Sequence, residues 1–169
     1  MATTTTISQV GEFPLISSMV GDLTMGQAVT LGPGDDGAVF QVDGSAVVST
    51  DVLVEEVHFR RRWSTATDVG RKAVAVNVSD IEAMGAVPVA LVVGFSAPGD
   101  LPASWAREFM TGMAAESQKA GVSVVGGDTT GGPVVSIAVT VIGQTAGMAP
   151  VRRDGAVLGD EVAVIGQLG

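Results

Sequence analysis

Five aspartates stand where glycine-rich or valine-rich segments turn or end. They are Asp35 and Asp36 in GPGDD (32–36), Asp51 in STD (49–51), Asp80 in NVSD (77–80) and Asp128 in GGDTT (126–130). Charged residues make up only 16% of the chain, so acids set among apolar residues and glycines need a cause. Carboxylates in a chain with no cysteine and a single histidine suit a hard cation with oxygen ligands. Mg²⁺ is the first candidate, because it is usually held by one or two carboxylates together with substrate phosphates. The chemistry indicated is that of phosphate groups.

Each motif also has a plain structural explanation. GPGDD is a glycine-permitted turn that presents two carboxylates to a ligand or simply to solvent. Ser49, Thr50 and Asp51 close a predicted strand, where they bind a cation directly or through water, or where Asp51 caps a turn. Asn77 and Asp80 fall at i, i+3 of a predicted helix among Val74, Val76, Val78 and Ile81. A carboxylate buried there is costly unless it meets a metal or a cation such as Arg71 or Lys72. GGDTT follows a predicted buried strand and is expected as a loop, with backbone N–H groups for phosphate oxygens and Asp128 for a metal. The chain has no GxxxxGK[ST] and no GxGxxG ahead of a helix, so neither a P-loop nor a dinucleotide fold is supported. His58 is open to three roles: general base, phosphate donor or solvated bystander. The basic runs Arg60–Arg62 and Arg152–Arg153 are solvated surface or phosphate clamps.

The elements that must position these residues follow from periodicity. A short helix is predicted over 11–20 and a Gly/Pro-rich loop over 24–37. A hairpin is predicted over 38–50, turning at Asp43-Gly44, and a loop over 51–66. A helix is expected over 67–84, N-capped by Thr67 or Asp68 and closed by Gly85. VALVVGF (89–95) reads as a buried strand. Residues 101–120 read as an amphipathic helix with Trp105, Phe109, Met113 and Ala120 on one face and Gly121 at its end. VSVV (122–125), VVSIAVTVIG (134–143) and EVAVIG (161–166) read as strands, the second with a face of small residues. Such alternation gives α+β or α/β, which the pattern alone does not separate.

The chain has 169 residues, enough for one domain with a core, and its mean hydropathy of +0.43 argues against disorder. A net charge of −9 disfavours nucleic acid, because no basic stripe exists to neutralise a phosphate backbone. The absence of cysteine rules out disulfides, thiolate metal sites and a cysteine nucleophile, and is compatible with the cytoplasm. No apolar run approaches the length of a membrane span. Residues 1–10 read as a flexible tail without the basic start of a signal peptide. The chain stops at Gly169, where its last predicted strand should turn into another element, so a C-terminal half is expected beyond it.

Taken in order, GEF near the N-terminus, GPGDD, STDVLVEEVHF (49–59), GRKAVAVNVSDIEAMGA (70–86), GGDTT and APVRRDGAVLGD (149–160) resemble the thiamine-monophosphate kinase family. The resemblance covers nearly the whole chain after the tail. It implies an α+β domain with a mixed or antiparallel sheet flanked by helices, two copies pairing their sheets into a barrel across a homodimer. It implies direct transfer of the γ-phosphoryl of ATP to thiamine monophosphate with several Mg²⁺ ions. By the same resemblance, Asp36, Ser49, Thr50, Asp51, Asp80 and Asp128 are metal ligands. Gly127, Asp128 and Arg153 meet the nucleotide, and His58 meets thiamine monophosphate. Residues 11–150 would then be the ATP- and Mg²⁺-binding domain and 151–169 the start of a second one. The chain departs from the family at Gly131-Gly132-Pro133, where a basic residue is frequent. The other readings are a related ATP-dependent synthetase of the same superfamily and a non-catalytic dimerisation domain.

Overall fold

A computed structural model describes residues 5–166. Along the chain run α1 (Ile7–Val10), α2 (Glu12–Val20), β1 (Val29–Leu31), β2 (Val39–Phe40), β3 (Ala46–Val54), α3 (Ala66–Ala83), β4 (Val87–Ala97), α4 (Ala103–Ala120), β5 (Ser123–Gly131) and β6 (Ser136–Gln144). Strands β3, β6, β4 and β5 lie side by side in that order. The β3–β6 and β6–β4 pairs are antiparallel and β4–β5 is parallel, so the fold is α+β with a mixed sheet flanked by helices.

The alternation of β6 sets the two faces of this sheet. Ile137, Val139 and Val141 are buried in the main core, while Ala138, Thr140 and Ile142 point the other way. On the core side lie α3 and α4, with α2 against α4. Leu15, Val69, Ala73, Ile81, Phe109 and Met113 meet the sheet there. Trp105 and Ala120, expected on the same face of α4, are only partly buried and pack at the edge of that core. The opposite face is covered at one end, where β1 and β2 lay Ala28, Val29, Ala38 and Phe40 over Val89, Ala90 and Val125. Elsewhere on it Val48, Val52 and Val92 are exposed.

Two glycines let α3 and α4 touch. A Cβ on Gly70 would stand 2.1 Å from the Phe109 carbonyl oxygen, and one on Gly112 would stand 2.1 Å from that of Thr67. The backbones therefore cross with no side chain between them, which no larger residue permits.

Several local expectations are corrected. The segment 38–50 is not a hairpin: β2 pairs with β1, β3 pairs with β6, and the Asp43-Gly44 turn joins the two sheets. Its hydrogen bonds run to the end of β6 instead, through Gln144 and Thr145. The strand β3 extends to Val54, into the expected loop. The cap of α3 is Thr65, not Thr67 or Asp68, and Asp68 closes the capping box as its third residue. GGDTT lies inside β5 and is not a loop. Residues 161–166 form no strand. Of the expected tail, residues 5–10 dock on the β4–α4 connection: Ile7 N–H donates to the Leu101 carbonyl and Ser8 N–H to that of Gly99, both at 2.9 Å. Residues 1–4 of the expected tail lie outside the described residues.

Candidate functional site

The middle of β3 and the face of α3 bring two of the acidic motifs together. Ser49, Asp51 and Leu53 share the helix side of β3, paired in register with Val141, Val139 and Ile137 of β6. Ser49 Oγ donates to Asp80 Oδ2 of α3 at 2.8 Å. Asp51 lies two residues further on the same face, about 7 Å along the strand. Thr50 points to the opposite face, where its hydroxyl donates to the Val139 carbonyl at 2.9 Å and sits 3.1 Å from Thr140 Oγ1. The triplet STD is thus split by the strand's period.

Asp80 is exposed, so the idea that it is a costly buried carboxylate does not hold. The Asn77 that shares its helix face in sequence is the buried one: 1% exposed, with Nδ2 donating to the Ala73 carbonyl and Oδ1 without a partner among the described residues. Neither Arg71 nor Lys72 forms an ion pair with Asp80 among the described residues.

Asp128 sits elsewhere. It pairs with Gly94, which pairs with Ala138, which pairs with Val52. That row places Asp128 on the opposite face from Asp51 and at the opposite edge of the sheet. Three strand spacings, about 14 Å, separate the two. Gly127 beside it admits no side chain, since a Cβ there would stand 2.1 Å from the Val93 carbonyl oxygen. Asp36 is exposed in the loop between β1 and β2, where its N–H is taken by Asp35 Oδ1 at 2.9 Å. Arg153 is exposed after β6, beside the Arg152–Asp154 pair. Among the described residues, no three His, Asp or Glu side chains gather closely enough to hold a metal ion on their own. The Ser49–Asp80 pair with Asp51 still fits Mg²⁺, which takes one or two carboxylates and completes its octahedron with water and phosphate oxygens.

His58 lies on a tight turn that follows β3. Buried Phe59 anchors this turn against Trp105, with ring centroids 6.4 Å apart. The imidazole Nδ1 accepts the Val54 N–H at 3.0 Å, and Lys72 Nζ donates to the His58 carbonyl at 2.6 Å. A cavity of about 330 Å³ opens here, lined by His58, Arg60, Trp63, Asp68 and Lys72 among others. Arg60 and Arg62 flank the Trp63 ring at 4.3 and 5.0 Å and both pair with Glu56. Their hydrogen bonds and charges, that of Arg60 first, hold the Glu56 carboxyl below the usual range. Arg61 pairs with Glu55. The arginine run is therefore engaged by carboxylates on the same turn. Sequence reasoning missed the parts played by Trp63, Asp68 and Lys72. The signal available was the arginine–tryptophan adjacency, which in sequence looks like ordinary surface.

Residues 34–145 match the model of the AIR synthase related protein, N-terminal domain, and the chain belongs to that family. Within it, the chain is similar to thiamine-monophosphate kinases. That of Mycobacterium tuberculosis is 48% identical over 165 residues, 97% of this chain and 50% of the relative. That of Corynebacterium glutamicum is 40% identical over 148 residues, 86% of this chain and 43% of the relative. The crystal structure of thiamine-monophosphate kinase from Stenotrophomonas maltophilia K279a superposes with a TM-score of 0.71 at 36% identity, over 86% of this chain and 45% of that one. AaThiL complexed with AMPPCP and TMP superposes with a TM-score of 0.65 at 31% identity, over 94% and 49%. The chain spans about half the length of the curated relatives it matches.

Proposed function

We propose that this chain is the N-terminal, ATP-binding part of a kinase that phosphorylates thiamine monophosphate to thiamine diphosphate. The observation that carries the site is the Ser49–Asp80 hydrogen bond: the STD and NVSD motifs, 31 residues apart in sequence, meet side chain to side chain. The relatives' name and the neighbour holding AMPPCP and TMP support the substrates.

In this reading a phosphate oxygen of thiamine monophosphate attacks the γ-phosphorus of ATP in line. A new P–O bond forms as the bond to the β–γ bridging oxygen breaks, and ADP leaves with the electron pair. Such transfer asks the protein for alignment and charge neutralisation more than for covalent chemistry. Ser49, Asp51 and Asp80 would hold Mg²⁺, with Thr50, Asp36 and Asp128 as the further ligands of the proposal. When bound, Mg²⁺ supplies the positive charge that lets two polyanions approach in a chain of net charge −9. Gly127, Asp128 and Arg153 would meet the nucleotide and His58 the acceptor.

The opposite-edge placement of Asp51 and Asp128 favours a site completed by more than one copy or domain. A homodimer that closes the sheets into a barrel would also cover Val48, Val52 and Val92, an apolar face that invites association if left open. We place the reaction in the cytoplasm, consistent with a chain free of cysteine. Among the described residues no helix is long and apolar enough to cross a membrane.

Calorimetric titration with ATP tests the site. Heat that appears with Mg²⁺ and vanishes with EDTA is expected. ATP binding of equal strength in EDTA would contradict the proposed metal dependence.

A further inference from the structure

The turn that carries His58 is held from two sides. From within, the His58 N–H donates to the Val54 carbonyl at 2.8 Å and the Val54 N–H returns to His58 Nδ1 at 3.0 Å. From outside, the Lys72 ammonium reaches the His58 carbonyl at 2.6 Å. Lys72 belongs to α3, whose first turn is pinned by the reciprocal bonds of Thr65 and Asp68. Its ammonium therefore ties the turn to a fixed helix. An imidazole whose Nδ1 accepts a backbone N–H is neutral and carries its proton on Nε2. The Nε2–H is then the donor this ring offers to a ligand in the cavity it lines. That cavity is lined by Arg60, which Glu56 already pairs, by the Lys72 ammonium, and by Asp68, whose carboxylate Thr65 already engages at 2.6 Å. With these charges balanced, the His58 Nε2–H is the neutral donor that the wall turns to a ligand, and an oxygen acceptor is what such a donor meets.

We propose that Lys72 is a positioning residue for the acceptor substrate, fixing the His58 turn so that Nε2–H donates to a phosphate oxygen of thiamine monophosphate. The proposal rests on the reading that His58 meets that substrate. Lys72 itself acts through the backbone of the turn and takes no part in bond making.

His58 is the only histidine, so a chain labelled with ¹⁵N-histidine reports one imidazole. In the free protein the ring should show a single form protonated at Nε2. Lys72→Met should bring in the form protonated at Nδ1 and weaken thiamine monophosphate binding about tenfold, the scale of one lost charge-assisted hydrogen bond. Lys72→Arg, which keeps a cation within reach of the carbonyl, should restore both. Lys72 and His58 are both exposed, so losing their bond should move melting only slightly in Lys72→Met and leave it unchanged in Lys72→Arg. An unaltered tautomer and affinity in Lys72→Met would overturn the proposal. So would Lys72→Met behaviour that Lys72→Arg fails to rescue. The free-state comparison needs no ligand, which separates the two levels of the argument. If thiamine monophosphate leaves the wild-type imidazole signals unmoved, the assignment of His58 to the substrate fails, and the substrate role of Lys72 with it. Thiamine, which lacks the phosphate, should leave the Nε2 signal in place; an equal shift would reject the phosphate contact.

Discussion

Ser49 Oγ donates a 2.8 Å hydrogen bond to Asp80 Oδ2, joining the middle of strand β3 to the exposed face of helix α3. The contact has an immediate energetic meaning. An exposed carboxylate with one hydroxyl partner contributes little to folding, whereas the same carboxylate beside Asp51 is well placed for a cation that arrives with a phosphate.

Asp80→Asn should therefore separate function from stability. The amide keeps the shape and an oxygen for Ser49, so unfolding free energy should move by no more than about 0.5 kcal/mol. Mg²⁺-dependent ATP binding should be lost. Chemical denaturation and calorimetry on the same sample check both. A loss of several kcal/mol without metal would mean that Asp80 is structural.

Gly70→Ala and Gly112→Ala should each destabilise the fold by about 1–3 kcal/mol, because the added methyl collides with a rigid carbonyl and forces α3 from α4. The collision distance is 2.1 Å in both cases. Thermal melting should fall by roughly 2–4 °C per kcal/mol for a chain of this size. An unchanged melting point would show that the helices do not cross so closely.

The start of α3 makes a pH-dependent contribution. The Thr65 hydroxyl, then its backbone N–H, holds the Asp68 carboxyl below the usual carboxylate range. A depressed folded value means stability that is fully present above the unfolded Asp value, near 4. It is lost as pH falls through the lower folded value. Thr65→Ala should lower the melting temperature at neutral pH and flatten its fall on acidification below about pH 4. Parallel wild-type and mutant curves across that range would reject the coupling.

If the open sheet face is an interface, light scattering should give about twice the 17.0 kDa chain mass. Val52→Lys, on that face, should give a monomer that still melts cooperatively. A wild-type monomer would reject the paired-sheet reading.

Much of the fold was legible because its period was clean. The alternation of Val135, Ile137, Val139 and Val141 marked β6, and the Phe109–Met113 spacing with Gly121 marked α4. What failed failed for non-local reasons. Asp43-Gly44 carries the dipeptide of a tight hairpin, yet β3 finds its partner about ninety residues away in β6, and a local signal cannot report that choice. GGDTT looked like a loop because glycine is poor in strands, but Gly127 is there so that β5 can approach Val93. The site was legible as residue types and not as geometry. Nothing in the spacing revealed that Thr50 faces away from Ser49 and Asp51, that Asp128 lies on the far edge, or that Lys72 serves the His58 turn and not Asp80.

The central claim is a transfer of phosphoryl from ATP to thiamine monophosphate, and one assay addresses it. The protein that carries this chain is incubated with ATP labelled at the γ-phosphate, Mg²⁺ and, in parallel, thiamine monophosphate, formylglycinamidine ribonucleotide or selenide. The account predicts label in the terminal phosphate of thiamine diphosphate and in no product of the other two. ATP consumption driven by ribonucleotide or selenide, with no labelled thiamine diphosphate, would contradict it.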